Sequence, residues 1–371
     1  MPIASGIRVT PESAMRCTAV SCAVRRITET LGTLPIHVYR RSQDGSRQRA
    51  PDHPVYRLVN GRVSSWRSSS ELVELMTADA LLHGAGFAVI VRNGEDLPRG
   101  LDYLPAPAVT VEENAATGDP IYRVRLQSGS QRTYPASDIL HLRSPLGSVI
   151  HQGREAIGLA LVLERAAAHL FKNGARPGGV VEHPAKLDAT SFDNLLTAFR
   201  TAFSGEGTGL PAVLDHGATY KNITLSSTDA QFIEHRKFAL QEIARIFCMP
   251  LVLLQDYDRA TWSNSEEMGR QFLTYTLAPW IRRWEDEIHL KLFSEADQAG
   301  FYAEFLIDEL LRGDVEKRTK AYAVQIAARM LSPNEARAME NRAPYAGGDK
   351  FENPNTTSAL ASPLTADKEA A

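Results

Sequence analysis

Residues 153–182 read GREAIGLALVLERAAAHLFKNGARPGGVVE. From Glu155 to Lys172 the spacing predicts a helix of about five turns. Its apolar stripe is Leu159, Val162, Leu163, Ala166 and Leu170. Asn173-Gly174, with Pro177 close behind, is a strong stop: Asn and Gly accept the left-handed turn that ends a helix, and proline cannot continue one. The chain restarts as a strand at Gly179–Glu182. A second helix opens at Thr228, with Gln231 three residues on in capping-box spacing. Its stripe is Phe232, Ala239, Ile243 and Ile246, and Pro250 ends it. Between the two helices lie a helix over Ser191–Phe203, a Gly-rich loop (Ser204, Gly205, Glu206, Gly207, Thr208, Gly209), and strands at Ala212–Leu214 and Tyr220–Leu225. Two long helices flanking a small α/β excursion hold a module away from a body. Nothing in the pattern reads as a pocket for chemistry.

Upstream, Val20, Val24, Ile27 and Leu31 give a helix over Ala14–Leu31, and Ile36–Tyr39 alternates as a strand. Ser42–Pro54 is a polar loop rich in Arg, Gln and Asp. Glu71–Leu82 is a further helix, broken by Gly84-Ala85-Gly86 before a strand at Phe87–Arg92. Strand signals recur at Leu101–Leu104, Val109–Glu112, Tyr122–Leu126 and Ile139–Leu142, and predict a small antiparallel sheet or barrel. Downstream, Gln255–Asn264 is a polar loop. A long helix runs from Ser265 to Phe293 with its apolar face at Leu277, Trp280, Ile281, Trp284, Ile288 and Leu292, and Pro279 should kink it. A strand at Phe301–Ile307 precedes two short helices. One opens near Asp314. The other opens at Ser332, where Ser as N-cap, Pro333 at the first helical position and Glu335 make a strong start. Asn, Thr, Ser, Pro and Ala dominate after Glu352, so a disordered tail is expected.

The chain of 371 residues carries 43% apolar and 23% charged residues and a net charge of −3. That is ordinary globular composition and excludes a surface that grips nucleic acid everywhere. Cys17, Cys22 and Cys248 lack metal spacing and read as reduced core residues. No apolar run is long enough for a membrane span. His83-Gly84-Ala85-Gly86 looks like an esterase oxyanion turn, but no Gly-x-Ser-x-Gly accompanies it, so it reads as a helix-to-strand turn. There is no Walker A sequence and no His-Glu-x-x-His. Arg312-Gly313-Asp314 reads as a helix cap. No catalytic residue, metal site or cofactor is expected.

Seven collinear blocks carry a resemblance: AVSCAVRRITETLGTLPIHVYRR, LLHGAGFAVIVRN, the segment from Gly153 to His183, DAQFIEHRKFALQEIARIFCMPLVLL, WSNSEEMGRQFLTYTLAPWIRRWEDEIHLKLF, AEFLIDELLRGD and LSPNEARAMENRAPYAGGD. Together, from about Val9 to about Asp349, they resemble the portal proteins of tailed bacteriophages and of gene transfer agents. Few residues precede Val9, whereas members of that family often carry a longer extension.

The resemblance implies an α+β portal fold. Residues 1–150 would be the first part of a wing of helices and a small sheet or barrel, 151–177 and 226–250 the two stem helices, 178–225 a small α/β clip, and 251–264 a tunnel loop. Residues 265–312 would be the long kinked helix and the rest of the wing, 313–349 a crown, and 350–371 a tail. It further implies that Gln255, Asp256, Tyr257, Asp258, Arg259, Ala260, Thr261, Trp262, Ser263 and Asn264 line a channel, that the two helical stripes pack subunits, and that Ser204–Gly209 dock terminase or adaptor. The implied function is a non-enzymatic ring of about twelve copies at one capsid vertex, for DNA packaging, DNA exit and neck or tail attachment. Its partners would be the major capsid protein, the large terminase subunit, a head–tail adaptor, and double-stranded DNA without sequence preference. It would be made in the host cytoplasm and reside in the particle. Modest acidity suits a conduit that must not hold phosphates. The alternatives are a ring-forming neck adaptor without a packaging role, and a nucleic-acid enzyme, which would need clustered carboxylates for metal.

Overall fold

The computed structural model describes residues 4–42, 46–126, 128–172, 180–184, 187–203, 218–221, 226–257, 265–307, 315–340 and 342–353. The chain forms two units, residues 1–306 and 307–371, each described by itself.

The first unit opens with α1 (Pro11–Ala14) and α2 (Thr18–Thr33). The single helix expected from Ala14 is therefore two. Thr10 caps α1 with Ser13 reciprocating and Pro11 at the first turn, so a short helix is nucleated and finished before α2 begins. The buried face of α2 carries Val20, Val24, Ile27 and Leu31 as its spacing requires. β1 (Ile36–Arg41) follows. β2 (Arg47–Arg49) lies inside the segment expected to be only a loop, and α3 (Pro54–Asn60) begins at its end. α4 (Ser69–His83) is capped by Ser68, whose hydroxyl accepts from the Glu71 amide.

The oxyanion-like His83–Gly86 is a helix-to-strand turn. Gly84 ends α4 at φ 96°, and a Cβ on Gly86 would come within 2.2 Å of the Met76 carbonyl oxygen. Only glycine lets β3 (Ala85–Arg92) lie so close to α4.

β3 is flanked by β4 (Pro98–Leu104) on one side. Pro105 and the short turn Ala106–Ala108 then hand the chain to a second sheet, β5 (Val109–Glu113), β6 (Pro120–Arg125) and β7 (Gln131–Tyr134). β8 (Ile139–Arg143) returns to the free side of β3. The sheet orders are β4-β3-β8 and β5-β6-β7, all antiparallel, and among the described residues neither closes. The barrel alternative is thereby corrected: the break at Pro105 splits the strands into two open sheets. β7 shows no alternation in the sequence because only Tyr134 of its four residues is buried.

α5 (Val149–Gln152) and α6 (Arg154–Lys172) come next. β9 (Val180–Glu182) pairs with β10 (Thr219–Lys221) across α7 (Ala189–Phe203). α8 (Ser226–Ile246) is already helical two residues before Thr228, so Thr228 is not its cap. The expected strand at 212–214, residues 222–225 of the next one, the tripeptide 312–314 and residues 354–371 of the tail lie outside the described residues. Of the cysteines, Cys17 is buried and Cys22 half-buried, but Cys248 is exposed rather than core.

α9 (Ser265–Gln271) and α10 (Ala278–Leu292) are joined by a π-helical stretch, Phe272–Leu277, into one helix. Pro279 has no N–H for the preceding turn and its ring would strike the Tyr275 carbonyl, so the helix widens ahead of it. After α11 (Glu295–Gln298), β11 (Phe301–Phe305) pairs with β1, giving the order β11-β1-β2.

Four side chains of α10 tie these pieces together. Trp284 Nε1 donates to Thr77 Oγ1 at 3.0 Å. Glu285 accepts from the Phe305 amide at 3.0 Å and Glu287 from the His141 amide at 2.8 Å. Lys291 Nζ donates to the Ala136 carbonyl at 2.6 Å.

In the second unit, α12 (Val315–Ala327) is followed by α13 (Pro333–Met339). The expected capping box is present, with Ser332 and Glu335 reciprocating. Asn334 ties α13 to the following segment through the Tyr345 carbonyl and Asp349.

His141 is a buried strand residue whose Nδ1 receives both the Tyr122 hydroxyl at 2.9 Å and Arg143 Nε at 3.2 Å. Burial, then the neighbouring Arg143 and Lys291 cations, push its pKa down to about 3. As pH falls below the ordinary imidazole value, the unfolded chain takes up a proton that the folded chain refuses. Folded stability due to this group is therefore complete above pH ~6.5 and lost on acidification, at roughly 1 kcal/mol per pH unit. We expect His141→Asn to destabilise at pH 7.5, and that cost to shrink by roughly 1 kcal/mol per unit between pH 6.5 and 5. Urea unfolding at stepped pH checks it; a cost independent of pH would refute the assignment.

Candidate assembly and channel segments

α6 lies against α8, and α8 also meets α2. The approach is close at Gly153, where a Cβ would come within 2.4 Å of Ile246 Cδ1. α6 buries Ile157, Leu161 and Ala167, while α8 buries Ala239, Ile243 and Ala244. Where α2, α6 and α8 converge there is an open cleft of about 890 Å³. Its lining includes Leu163, Ala239 and Ile243 together with Arg25, Glu164 and Arg236.

The expected α6 stripe is not the face that α6 buries. Leu159 is 41% exposed, Val162 and Leu163 are half-buried, and Ala166 is exposed. The Leu170 side chain lies outside the described residues. The reason is visible in the sequence: Ala156–Leu163 is apolar all round, so periodicity fits two stripes at once. The chain buries the one through Ile157 and Leu161. On α8 the expected stripe divides. Ala239 and Ile243 are buried, whereas Phe232 and Ile246 are half-buried. Ile233, 57% exposed, and Phe238, 49% exposed, fall outside the stripe that the spacing predicts. Their only signal was their position off the main stripe.

α8 ends in a turn that launches the polar loop. The Cys248 amide bonds the Arg245 carbonyl and the Met249 amide bonds the Ala244 carbonyl, with Cys248 in the left-handed conformation at φ 51°. This is the six-to-one helix stop that glycine normally serves. A short 3₁₀ turn, Leu251–Leu254, follows, its base held by the Cys22 thiol on the Leu253 carbonyl. Of the expected loop, Gln255 sits at φ 64°, Asp256 is half-buried and Tyr257 is exposed. Asp258, Arg259, Ala260, Thr261, Trp262, Ser263 and Asn264 lie outside the described residues. Thr276, in the π-helical stretch beyond the loop, donates its hydroxyl to the Cys248 carbonyl. The two anchors of the loop are thus bonded to each other.

Between the paired helices, Lys221 and Glu182 form an ion pair at 2.7 Å across β9 and β10. Asp188 accepts from the Ser191 amide at 2.7 Å, which caps α7, and hydrogen bonding from the Ser191 hydroxyl and then from its amide lowers the Asp188 pKa. Phe192 on α7 is exposed. Ser204, Gly205, Glu206, Gly207, Thr208 and Gly209 lie outside the described residues. Among the described residues no three His, Cys, Asp or Glu side chains are grouped to hold a metal. No described helix is long and apolar enough to cross a membrane.

The chain is similar to known proteins over most of its length. Residues 18–341 match the family model "Phage portal protein". A Streptomyces phage phiC31 chain named "Probable portal protein" is 29% identical over 362 residues, covering 93% of this chain and 79% of the relative. The "Portal protein" of Enterobacteria phage HK97 is 26% identical, covering 92% and 82%. Among solved structures, a chain in the virion of a native gene transfer agent particle superposes with TM-score 0.65 at 23% identity, covering 91% of this chain and 95% of that one. An HK97 family phage portal protein from Corynebacterium diphtheriae gives TM-score 0.60 at 18% identity, covering 83% and 99%. A chain from the neck of the native gene transfer agent particle, computed with C12 symmetry, gives 0.62 at 21%, covering 90% and 94%. The chain belongs to the phage portal protein family.

A residue with a Cβ at Cys248 carries a left-handed penalty of about 1 kcal/mol that glycine does not. We expect Cys248→Gly to raise stability by about 1 kcal/mol and Cys248→Val to lower it, read by chemical denaturation. Equal stability of the two variants would rule out the assigned helix stop.

Proposed function

We propose that this portal-family chain assembles into a closed ring at a single capsid vertex, through which double-stranded DNA enters and leaves. The observation that carries the reading is the two-faced helix pair. α6 and α8 bury one face within the chain and leave Leu159, Ile233 and Phe238 exposed. Identical copies meeting through unlike faces close a ring when the rotation between them allows it. The C12 symmetry of the similar gene transfer agent neck supports about twelve copies. In this reading α6 and α8 are the stem, and the chain is structural rather than catalytic.

The segment 178–225 would be the clip that docks the terminase and then the adaptor. The loop 255–264 would line the channel. Its anchors support that role, since both ends are fixed to helices while Tyr257 stands exposed. Asp256 and Asp258 would repel the DNA backbone, and Arg259 would make only transient, salt-screened phosphate contacts. The wing would contact the capsid shell.

The test separates assembly from folding. Ile243 is buried within the chain, so a charge there would unfold the subunit rather than report on the ring. Leu159→Asp and Ile233→Asp instead place a charge on surface that only a neighbouring copy would desolvate. We expect each to keep wild-type circular dichroism and a cooperative unfolding transition but to lose rings in negative-stain electron microscopy. Rings of normal size from both variants would defeat the stem assignment. For the channel, replacing Asp256 and Asp258 with Lys should leave rings normal and reduce nuclease-protected DNA per particle. Unchanged protected DNA, with rings confirmed, would leave 255–264 as a connecting loop only.

A further inference from the structure

The sheet β11-β1-β2 is amphipathic in an unusual way. One face, Ile36, Val38, Ala303 and Phe305, is buried. The register Tyr39↔Arg49, Arg41↔Arg47 and Tyr39↔Tyr302 puts the aromatic and cationic residues together on the opposite face. Tyr39 and Tyr302 stack with centroids 5.7 Å apart. The Arg41 guanidinium lies 5.2 Å from the Tyr302 centroid, Arg47 4.8 Å from that of Tyr39, and Arg49 5.4 Å from that of Tyr56. Arg47 also pairs with Glu304, and Arg49 donates to His37 Nε2 at 3.0 Å. The three guanidiniums are held in place by rings rather than left on free stems.

β2 is also an edge. Among the described residues no strand pairs with its outer side. The Ser42 amide bonds the Ser46 carbonyl and the Ala50 amide bonds the Val38 carbonyl. In an antiparallel ladder the bonded pairs alternate, so 40 and 48 form the next bonded pair. The N–H and C=O of Arg47 and Arg49 therefore point away from β1, toward the open side.

We propose that the outer edge of β2 is a docking site for an extended acidic polypeptide segment of a partner protein, added as a fourth antiparallel strand with carboxylates at alternate positions. Backbone pairing to Arg47 and Arg49 would supply the strand addition. Alternate residues of an added strand fall on one face, so its carboxylates meet the Arg41, Arg47 and Arg49 side, where the guanidinium N–H groups not already bonded to Glu304, His37 and Tyr56 can pair with them. The open backbone acceptors favour a peptide over a nucleic acid, because DNA has no use for C=O groups in register. Charge on an edge strand ordinarily protects against unwanted pairing. Here the same arginines exclude neutral and basic strands and admit acidic ones, which is how specificity is built at an open edge. Only part of this is legible in the residues: the Arg-rich segment is visible, but the pairing that aligns Arg47 and Arg49 with Tyr39 and Tyr302 is not.

The test uses the full-length protein and a fluorescent heptapeptide, acetyl-Thr-Glu-Val-Glu-Val-Glu-Thr-amide. We expect anisotropy to report a dissociation constant of about 10–100 µM at low salt. Arg47→Ala with Arg49→Ala should weaken it about tenfold or more. A peptide of the same charge, N-methylated at the inward backbone positions, should not bind the wild-type protein, a result independent of any variant's folding. Equal binding of the N-methylated peptide would overturn strand addition and leave a charge patch. Binding of a short duplex DNA in place of the peptide would overturn the proposal in favour of a phosphate platform. Absence of peptide binding, with or without loss of self-association in Arg47→Glu, would overturn it as well; in the first case the edge is a seam between copies.

Discussion

Trp284 hands its indole N–H to Thr77 across 207 residues of sequence, and the first unit depends on that alignment. Glu285, Glu287 and Lys291 on the same helix each bond the backbone of a different piece: β11, β8 and the turn before β8. A slip of α10 by one residue would rotate it by about 100° and break all four bonds together. Each buried group left without a partner costs about 1–3 kcal/mol. The long helix therefore fixes register, not merely burial. It also explains why the amino-terminal strands are not a free-standing domain. β1 takes β11 as its neighbour, and β8 takes its polar contact from α10.

The same arrangement decides how the perturbed acids should be read. Burial raises the pKa of Asp79, Glu285 and Glu287. Raised carboxyls are a recognised pointer to catalysis. Here Asp79 accepts from the Ala106 amide at 2.8 Å and the Tyr103 hydroxyl at 2.9 Å, and the two glutamates accept from strand amides. Each is spent on a backbone donor that would otherwise be orphaned. Their shifts record the desolvation of structural staples.

Much of the fold was legible because it is written in local chemistry. Val20, Val24, Ile27 and Leu31 mark α2, Ser332 and Glu335 start α13, and Pro279 perturbs the long helix where expected. What the residues hid was tertiary. β2 and β7 are short and mostly exposed, so alternation had nothing to show. The break into two sheets at Pro105 is a matter of strand partners. On α6 the all-round apolar run Ala156–Leu163 could not say which face the chain keeps, and the stripe chosen from spacing proved to be the more open one. The polar loop was legible as a loop, but not the bond from Thr276 to the Cys248 carbonyl that ties its two anchors.

That bond joins two departures from regular geometry. Cys248 takes a left-handed conformation without being glycine, and Phe272–Leu277 widens to a π-helix. Both carry a cost, and both sit at the feet of the same loop. Continuing α8 regularly past Phe247 would carry Met249 and the 3₁₀ turn away from α2, and would unseat the Leu253 carbonyl from Cys22. Continuing α9 regularly into Pro279 would set the ring against the Tyr275 carbonyl. The widening removes that clash and, in the same turn, brings the buried Thr276 to the end of α8. The two irregularities thus support each other: the loop is launched from a helix end that is itself held by the helix to which the loop returns.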